Sequence, residues 1–308
     1  MTSAPRSAPL KGMPARVTIV EVGPRDGLQN EPAVVPTHVK AEFIERLAAA
    51  GLGVIEVTSF VHPDKVPQLA DAGALLARLP RRQGQRRPVL LANFRGLERA
   101  LAAGADELAI PASATESFAE RNLGRSVAES LVMFAPVIER ARDEGLRVRA
   151  YVSMAFGDPW EGAVPLSRAV ELGGRLIDLG CDELCLADTI GTATPGLVCE
   201  LLRALVAHGV PAARLAVHFH DTYGQALSNT LAALQEGVTV VDAAAGGLGG
   251  CPFAGSATGN LATEDLVWLL HGMGIETGVD LAGLVATSRW MAHHLGRPSP
   301  SRVVAALP

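Results

Sequence analysis

The sequence predicts an α/β fold of the (β/α)8 TIM-barrel class with an extra C-terminal helical segment. From residue 17 onward, an apolar run, a polar or Gly/Pro stretch and an amphipathic segment recur in that order eight times. Eight such units in about 250 residues are typical of a TIM barrel. The apolar runs are nearly continuous, as strands of a parallel sheet covered on both faces require. A doubly wound sheet is the alternative, but no G-x-G-x-x-G motif follows the first run.

Each predicted strand is a short run of β-branched or aliphatic residues bounded by polar or turn-forming residues. Because parallel strands all run toward one end of a barrel, their final residues meet at a common mouth. The predicted strands cover residues 17–22, 54–58, 89–92, 107–110, 148–153, 183–187, 215–220 and 238–243.

Each predicted helix repeats apolar residues at helical spacing after its strand. Thr37 is the predicted N-cap of the first helix and Gly51 its C-cap. Pro165 and Pro195 stand at helix starts, where a missing amide hydrogen costs nothing. The predicted helices cover residues 37–50, 66–79, 96–103, a region within 116–144, then 165–179, 195–208, 225–235, 261–270 and the extra segment 281–294.

The length of 308 residues permits one or two domains, and the barrel pattern favours one. Residues 1–15 are rich in Ser, Ala and Pro and lack the apolar core of a signal peptide. We therefore predict a disordered leader over 1–15 and a single catalytic domain over 16–308. No apolar run approaches the roughly 18 residues of a membrane span, so no membrane partner is expected.

Charge and cysteine content indicate which partners and which compartment to expect. The chain has 27 basic and 32 acidic residues, a net charge of −5 and 4% aromatic residues, so nucleic acid is not an expected partner. No C-x-x-C motif is present, which predicts unpaired thiols in a reducing, cytoplasmic compartment. A homodimer is expected only because two-fold oligomers are common. The cysteines are Cys181, Cys185, Cys199 and Cys251.

The strongest local signal is the pair His218 and His220 at the end of the seventh predicted strand. Residues two apart on a strand point to the same side, so both imidazoles can face the barrel mouth and share a metal ion. Two structural histidines are the alternative. Asp26, just past the first strand, can add a carboxylate ligand, although Arg25-Asp26-Gly27 also suits a turn.

Other polar residues follow the remaining strands. Asn260 can be a further ligand, and it can also be the N-cap of the helix expected at residue 261. The Gly-rich stretch 246–250 is expected to be mobile or to adopt positive φ. Cys251 follows it, and a thiol on such a loop can exchange a proton above a metal site. The third strand ends at Asn93, which we expect to bind substrate.

Together these segments resemble the 3-hydroxy-3-methylglutaryl-CoA lyase family, part of the metal-dependent TIM-barrel lyases and acyl synthases with an R-D-G motif after the first strand. The resemblance extends from residue 17 to about residue 300. The matching stretches are VEVGPRDGLQNE (20–31), VIEVTSFVHPDKVPQ (54–68), ADTIGTATPG (187–196), AVHFHDTYGQALSNTLAALQ (216–235) and GGLGGCPFAGSATGNLATEDLV (246–267).

The resemblance implies a reaction and a set of roles. The reaction is metal-assisted cleavage of an acyl-CoA, (S)-3-hydroxy-3-methylglutaryl-CoA, to acetyl-CoA and acetoacetate, as in leucine degradation and ketone-body chemistry. Arg25 would face and bind the substrate carbonyl, Cys251 would be the catalytic thiol, and Glu56 and Asp188 match polar, catalytic positions nearby. The implied ligands of Mg²⁺ or Mn²⁺ are Asp26, His218, His220 and Asn260.

Three other interpretations remain open from the sequence. The same cleavage could act on a longer 3-hydroxy-3-alkylglutaryl-CoA, as in acyclic terpene catabolism. His218, His220 and Asp26 could instead form a two-His-one-carboxylate iron site of an oxygenase, although a nearby thiol is an awkward neighbour for oxidants. A metal-binding barrel without catalysis is the third interpretation, against which Arg25 and Cys251 argue weakly.

Overall fold

The computed structural model describes residues 4–5, 7, 10–250 and 259–308. Its strands alternate with helices along the chain, as the sequence pattern predicts. The strands are β1 (Thr18–Glu21), β2 (Val54–Ile55), β3 (Thr58–Ser59), β4 (Val89–Leu90), β5 (Glu107–Ser113), β6 (Arg147–Ser153), β7 (Gly157–Asp158), β8 (Gly162–Ala163), β9 (Glu183–Asp188), β10 (Leu215–Phe219) and β11 (Val240–Ala243).

The helices pack around the outside of the sheet and bury their apolar faces against it. The helices are α1 (Thr37–Ala49), α2 (Ala72–Arg78), α3 (Phe94–Ala102), α4 (Glu116–Leu123), α5 (Val127–Asp143), α6 (Leu166–Leu179), α7 (Pro195–Ala207), α8 (Ala226–Gln235), α9 (Thr263–Gly272), α10 (Leu281–Leu295) and α11 (Arg302–Ala306). Among the described residues, no helix combines the length and hydropathy needed to cross a membrane.

Nine parallel strands are hydrogen-bonded in the order β2-β1-β11-β10-β9-β6-β5-β4-β3. The two end strands, β2 and β3, belong to one extended segment interrupted at Glu56 and Val57. β2 pairs with β1, and β3 pairs with β4. The Val57 amide also donates to the Pro88 carbonyl, so this segment contacts both neighbours. The sheet therefore closes into a barrel of eight strand positions, which confirms the predicted (β/α)8 class.

Several predicted helix boundaries are corrected. α1 begins at Thr37 itself, and the Thr37 hydroxyl donates to Asp71 Oδ2 at 2.6 Å, so Thr37 does not cap the helix. Gly51 does follow the helix with φ +94°, as predicted for a C-terminal glycine. The region 116–144 contains two helices, separated near Gly124, which adopts φ +69°.

The barrel has an apolar core between sheet and helices and a mixed core inside the lumen. Five lumen residues form a small apolar cluster: Leu90, Ala109, Tyr151, Cys185 and Ala216. Charged side chains are also buried there, and Arg149 is 1% exposed. Buried charges of this kind need partners of opposite charge.

The structure describes part of the predicted leader and three of the four cysteines. The Ser7 hydroxyl donates to the Gly272 carbonyl at 3.2 Å. The disordered leader over 1–15 stays a prediction. Cys181 and Cys185 are buried free thiols, whereas Cys199 is half-buried.

Candidate metal and active site

A wide helical turn, Gly23–Gly27, follows β1 and carries two of the predicted site residues. The Gly27 amide donates to the carbonyl of Val22, five residues back, at 3.1 Å. Such single π-type turns are frequent at functional sites because they reorient one or two side chains. Here the turn places Arg25 and Asp26 in the wall of the cavity at the mouth of the barrel.

Three predicted ligands come together at that mouth. Asp26, His218 and His220 each offer a ligand atom, and these atoms lie within 4.8 Å of one another. The two imidazole centroids are 5.2 Å apart, as expected for residues two apart on one side of a strand. The spacing suits a divalent cation held by nitrogen and oxygen.

Asn260 supplies an independent indication of a cation. Its Nδ2 donates to Asp26 Oδ2 at 2.8 Å and to the Leu248 carbonyl at 3.0 Å. Its Oδ1 is buried and has no hydrogen-bond partner among the described residues. A buried acceptor without a partner is unfavourable, and a cation beside Asp26 would provide one. The donor set therefore fits a metal ion. The predicted N-cap role of Asn260 is wrong, because α9 begins at Thr263 with Ala262 as its N-cap.

Asp26 is held in its ionised form. Burial alone would raise the pKa of its carboxyl, but Arg25 and the two histidines outweigh burial and lower the pKa to about 2. The Arg25 Nη1 lies 2.6 Å from Asp26 Oδ1. A carboxylate rather than a carboxylic acid is thus available as a ligand at neutral pH.

Arg25 has a second anionic partner in Glu56, the residue at the break between β2 and β3. Arg25 Nε donates to Glu56 Oε1, and Tyr151 Oη donates to Glu56 Oε2 at 2.6 Å. The Arg25 guanidinium carbon also lies 5.3 Å from the centre of the Tyr151 ring. The carboxylates outweigh burial and raise the pKa of Arg25, so the guanidinium remains charged.

Asp188 and Asn93 make mainly local contacts. The Asp188 carboxylate accepts from the amides of Thr192 and Ala193, each at 2.9 Å, in the loop before α7. Burial raises the pKa of Asp188 to about 6 despite these bonds. Asn93 is the N-cap of α3, accepts from the Gly96 amide at 3.0 Å and lines the cavity.

Three lumen residues that our sequence reasoning did not assign contribute to the site: Tyr151, Asp242 and Arg149. Asp242 Oδ2 lies 3.2 Å from His218 Nδ1, and Arg149 Nη2 lies 2.5 Å from Asp242 Oδ1. Arg149 and His218 outweigh burial and lower the pKa of the Asp242 carboxyl. The sequence contains a signal for Tyr151, because it lies two residues before Ser153 at the end of the predicted strand and therefore points to the same side.

The cavity at the mouth has a volume of about 1480 Å³ and extends well beyond the metal ligands. Its outer part is lined by exposed apolar side chains, including Phe94 and Val132, and by basic ones. The Arg121 guanidinium carbon lies 4.0 Å from the centre of the Trp160 ring, which restrains it at this rim. The basic residues that line the cavity besides Arg25 are Lys65, Arg95, Arg121 and Arg125.

The Gly-rich stretch 246–250 contacts Asn260, one of the candidate metal ligands. Gly246, Gly247 and Gly249 adopt φ of +67°, +68° and +111°, which confirms the predicted positive φ. A Cβ at Gly249 would lie 2.5 Å from Asn260 Nδ2, so only glycine fits there. Cys251, the predicted thiol of this loop, lies outside the described residues.

Sequence comparisons find relatives over nearly the whole chain. The profile of the HMGL-like family matches residues 16–291. A mitochondrial hydroxymethylglutaryl-CoA lyase of Arabidopsis thaliana is 51% identical over 96% of this chain, which spans 63% of the length of that protein. A cytoplasmic 3-hydroxy-3-methylglutaryl-CoA lyase of Rattus norvegicus is 47% identical over 98% of this chain and 88% of its own length.

Solved structures are similar to this chain over nearly its whole length. A hydroxymethylglutaryl-CoA lyase from Pseudomonas aeruginosa matches with a TM-score of 0.93 and 44% identity, covering 96% of this chain and 98% of that one. A related lyase from Acinetobacter baumannii, described in complex with coenzyme A and 3-methylmalate, matches with a TM-score of 0.91 and 36% identity over 95% of each chain.

Proposed function

The chain belongs to the HMGL-like family, and from this premise we propose that it cleaves 3-hydroxy-3-methylglutaryl-CoA to acetyl-CoA and acetoacetate. It is then a carbon–carbon lyase. The observation that carries the proposal is the convergence of Asp26, His218 and His220 beside Arg25 in one large cavity. A cation site and a fixed guanidinium are what a substrate bearing a hydroxyl, a carboxylate and a thioester requires.

Four residues would hold a divalent cation, which we propose to be Mg²⁺ or Mn²⁺. The Oδ1 of Asn260, which has no hydrogen-bond partner in the described part of the chain, supports this, as does the ionised carboxylate of Asp26. Mixed ligation by two oxygen and two nitrogen donors, with positions left for substrate or water, is compatible with these two ions. When bound, the cation would lower the pKa of the tertiary hydroxyl and orient the substrate. The residues are Asp26, His218, His220 and Asn260.

The reaction is a retro-Claisen cleavage. The C3 hydroxyl loses its proton, the oxygen electron pair forms the new ketone, and the C2–C3 bond breaks. The electrons of that bond pass to C2 and give the enolate of acetyl-CoA, which then takes up a proton at carbon. We propose Asp26 or His218 as the base and the Cys251 thiol as the proton donor. A His218 ring that donates from Nδ1 to Asp242 and holds the cation through Nε2 would have no free lone pair, which favours Asp26 for this step.

Arg25 would donate hydrogen bonds to the thioester oxygen as that oxygen gains negative charge. Two of its nitrogens are held, Nε by Glu56 and Nη1 by Asp26, so the guanidinium is oriented before substrate arrives. Glu56 therefore acts by positioning Arg25. Asp188 remains a proposed catalytic residue, and its bonds to the loop before α7 support an additional positioning role.

The outer cavity suits the rest of the thioester. Its volume of about 1480 Å³ exceeds what a six-carbon acyl group would fill, since even the pockets that hold drug-sized ligands have volumes of roughly 300–1,000 Å³. Four basic side chains at the rim would bind the phosphates of coenzyme A, and exposed Phe94 and Val132 offer apolar surface for the remainder. We propose that Asn93, in the same wall, contacts the substrate.

The compartment, the oligomeric state and the pathway are proposed on general grounds and on the names of the relatives. Relatives bear both mitochondrial and cytoplasmic names, and we propose a cytoplasmic location because an active thiol needs reducing conditions. We propose a homodimer on the frequency of two-fold assemblies and a place in leucine degradation on the family resemblance. Neither nucleic acid nor a membrane is a proposed partner.

One assay tests the activity. The purified protein, Mg²⁺ and 3-hydroxy-3-methylglutaryl-CoA under reducing conditions should release acetoacetate and acetyl-CoA in equal amounts. The absence of both products with Mg²⁺ and with Mn²⁺ would contradict the proposal. The names of the relatives give no support to a longer 3-alkyl substrate. A higher kcat/KM on such a thioester would nevertheless revive that alternative.

A further inference from the structure

Asp242, near the end of β11, has no role in the reaction derived above, yet it contacts a metal ligand directly. Its Oδ2 lies 3.2 Å from His218 Nδ1 and 3.5 Å from Cys185 Sγ. Its Oδ1 accepts from Arg149 Nη2. We propose that Asp242, held by Arg149, is a positioning residue that fixes the tautomer and orientation of His218 for cation binding.

The tautomer of His218 follows from which of the two facing groups can donate a hydrogen bond. Asp242 accepts a hydrogen bond from Arg149 through Oδ1 and lies 3.2 Å from His218 Nδ1 through Oδ2, so in this contact the Nδ1–H of His218 is the donor and the carboxyl group the acceptor. A neutral imidazole protonated at Nδ1 keeps its lone pair on Nε2. That nitrogen is then the one available to a cation shared with Asp26 and His220. Carboxylate–histidine–metal arrangements of this kind raise ligand basicity and restrict ring rotation.

Arg149 explains why a carboxylate can be kept in the lumen. Asp242 is 1% exposed and Arg149 is 1% exposed, and a buried charge is tolerated only when it is paired. The Arg149 guanidinium also lies against Glu183, with Nε 2.9 Å from Oε1, and 5.1 Å from the centre of the Tyr151 ring. These contacts hold the guanidinium in one place, so the orientation of the Asp242 carboxylate is determined as well.

The inference rests on the proposed cation site but not on the lyase reaction, so its test measures metal binding without substrate. Chelator-treated protein is titrated with Mn²⁺, and free Mn²⁺ is followed by electron paramagnetic resonance. Asp242→Asn keeps the shape of the side chain but removes its charge and presents an amide to Arg149. We expect Mn²⁺ affinity to fall by about 10- to 100-fold.

Two further variants separate positioning from support of the fold. Arg149→Lys retains the charge beside Asp242 and should recover most of the affinity that Arg149→Met loses. Arg147→Gln is the matched control, because Arg147 lies on the same strand and contacts Glu183 at 2.9 Å but does not contact Asp242. Its Mn²⁺ affinity should equal that of the unaltered protein. A folded Asp242→Asn protein with a lower melting temperature and unchanged Mn²⁺ affinity would overturn the proposal.

A measurement on the unaltered protein covers the case in which the variants do not fold. In metal-free protein labelled with ¹⁵N-histidine, long-range ¹⁵N–¹H correlation spectra distinguish a protonated from an unprotonated ring nitrogen. We expect Nδ1 of His218 to carry a proton. A ring protonated on Nε2 and not on Nδ1 would contradict the proposal, whether or not the protein shows lyase activity.

Discussion

Glu56 accepts a hydrogen bond from Arg25 Nε, so the guanidinium that we assign to the thioester oxygen is oriented by a fully buried carboxylate. Tyr151 occupies the other oxygen of Glu56 at 2.6 Å. The three side chains come from the turn after β1, the break between β2 and β3, and the middle of β6. The guanidinium is therefore placed by strands that meet only in the closed barrel.

We predict that Glu56→Gln lowers kcat by about 100-fold, comparable to the loss of one oriented donor to a developing oxyanion. Tyr151→Phe, which removes one hydrogen bond to Glu56, should lower kcat by about tenfold, since hydrogen bonds to charged groups contribute roughly 1.5–3 kcal/mol. Steady-state kinetics measures both. Mn²⁺ affinity should be unchanged in each variant, and a fall in affinity that matches the fall in kcat would contradict the assignment.

The unpartnered Oδ1 of Asn260 predicts a loss of metal affinity in Asn260→Ala. Because this change removes a proposed ligand and the 2.8 Å bond to Asp26, Mn²⁺ affinity should fall by at least about tenfold. Asn30→Ala is a suitable control, since the Asn30 side-chain amide donates to the backbone carbonyl of Asp26 at 3.1 Å and not to its carboxylate. Calorimetric titration compares the two variants. Equal affinities would remove Asn260 from the ligand set.

Glu264 predicts a pH dependence of stability. Burial raises the pKa of its carboxyl to about 8, although Ser288 and the Gly246 amide donate to it. In the unfolded chain it ionises near pH 4.5, so between about pH 5 and 8 the folded state binds the extra proton. Stability from this group is therefore complete below pH 4.5 and decreases as pH rises. Glu21, whose pKa burial raises to about 7, acts in the same sense.

Glu264→Gln should flatten the fall in unfolding free energy between pH 5.5 and 7.5. The change in slope is at most about 1.4 kcal/mol per pH unit, the value of one proton. Urea unfolding of metal-free protein at several pH values measures it. Glu276→Gln, at an exposed side chain, should leave the slope unchanged. A slope that Glu264→Gln does not alter would show that this carboxyl is ionised in the folded protein.

Cys251→Ser tests the thiol that the family resemblance implies. If the thiol delivers a proton to the enolate carbon, the less acidic hydroxyl should lower kcat by at least about 100-fold, within the range typical of general acid catalysis. Metal content, measured by elemental analysis, should be unchanged. Loss of the metal together with activity would refute this role and would favour a structural role for the residue.

The basic side chains at the rim of the cavity predict an effect on KM that depends on the nucleotide part of the substrate. Arg121→Gln should raise KM for the coenzyme A thioester about threefold to fivefold, since exposed charge pairs contribute up to about 1 kcal/mol. KM for the N-acetylcysteamine thioester, which lacks the nucleotide, should be unchanged. Arg140→Gln, at a residue of α5 that does not line the cavity, is the control. An equal increase in both KM values would show that Arg121 acts on the acyl end instead.

Much of the candidate site could be predicted from linear order, because parallel strands carry their final residues to one edge. The spacing of His218 and His220 predicts that they share a side, and Asp26 follows another strand of the same barrel. The N-cap prediction for Asn260 was wrong for a local reason. Two further residues, Leu261 and Ala262, precede the helix, so it begins at Thr263, and the Asn260 amide donates to Asp26.

Other contacts could not be read from the sequence. Arg149 and Asp242 are 93 residues apart and meet because both side chains enter the lumen. Likewise, Tyr151 reaches Glu56 across the barrel. A local sequence pattern cannot show whether a charged residue in a strand will be buried and paired. Its partner depends on the radius of the barrel and on the register of the whole sheet.

The sequence by itself determined the barrel class, the family and the residues able to bind a cation, because hydrophobic period, strand order and short motifs are properties of neighbouring residues. The tertiary structure alone decided which nitrogen of His218 faces Asp242, which anion orients Arg25 and that Oδ1 of Asn260 has no partner among the described residues. These depend on distances between side chains from different strands. Such distances are set only when the sheet closes and buried charges must find partners.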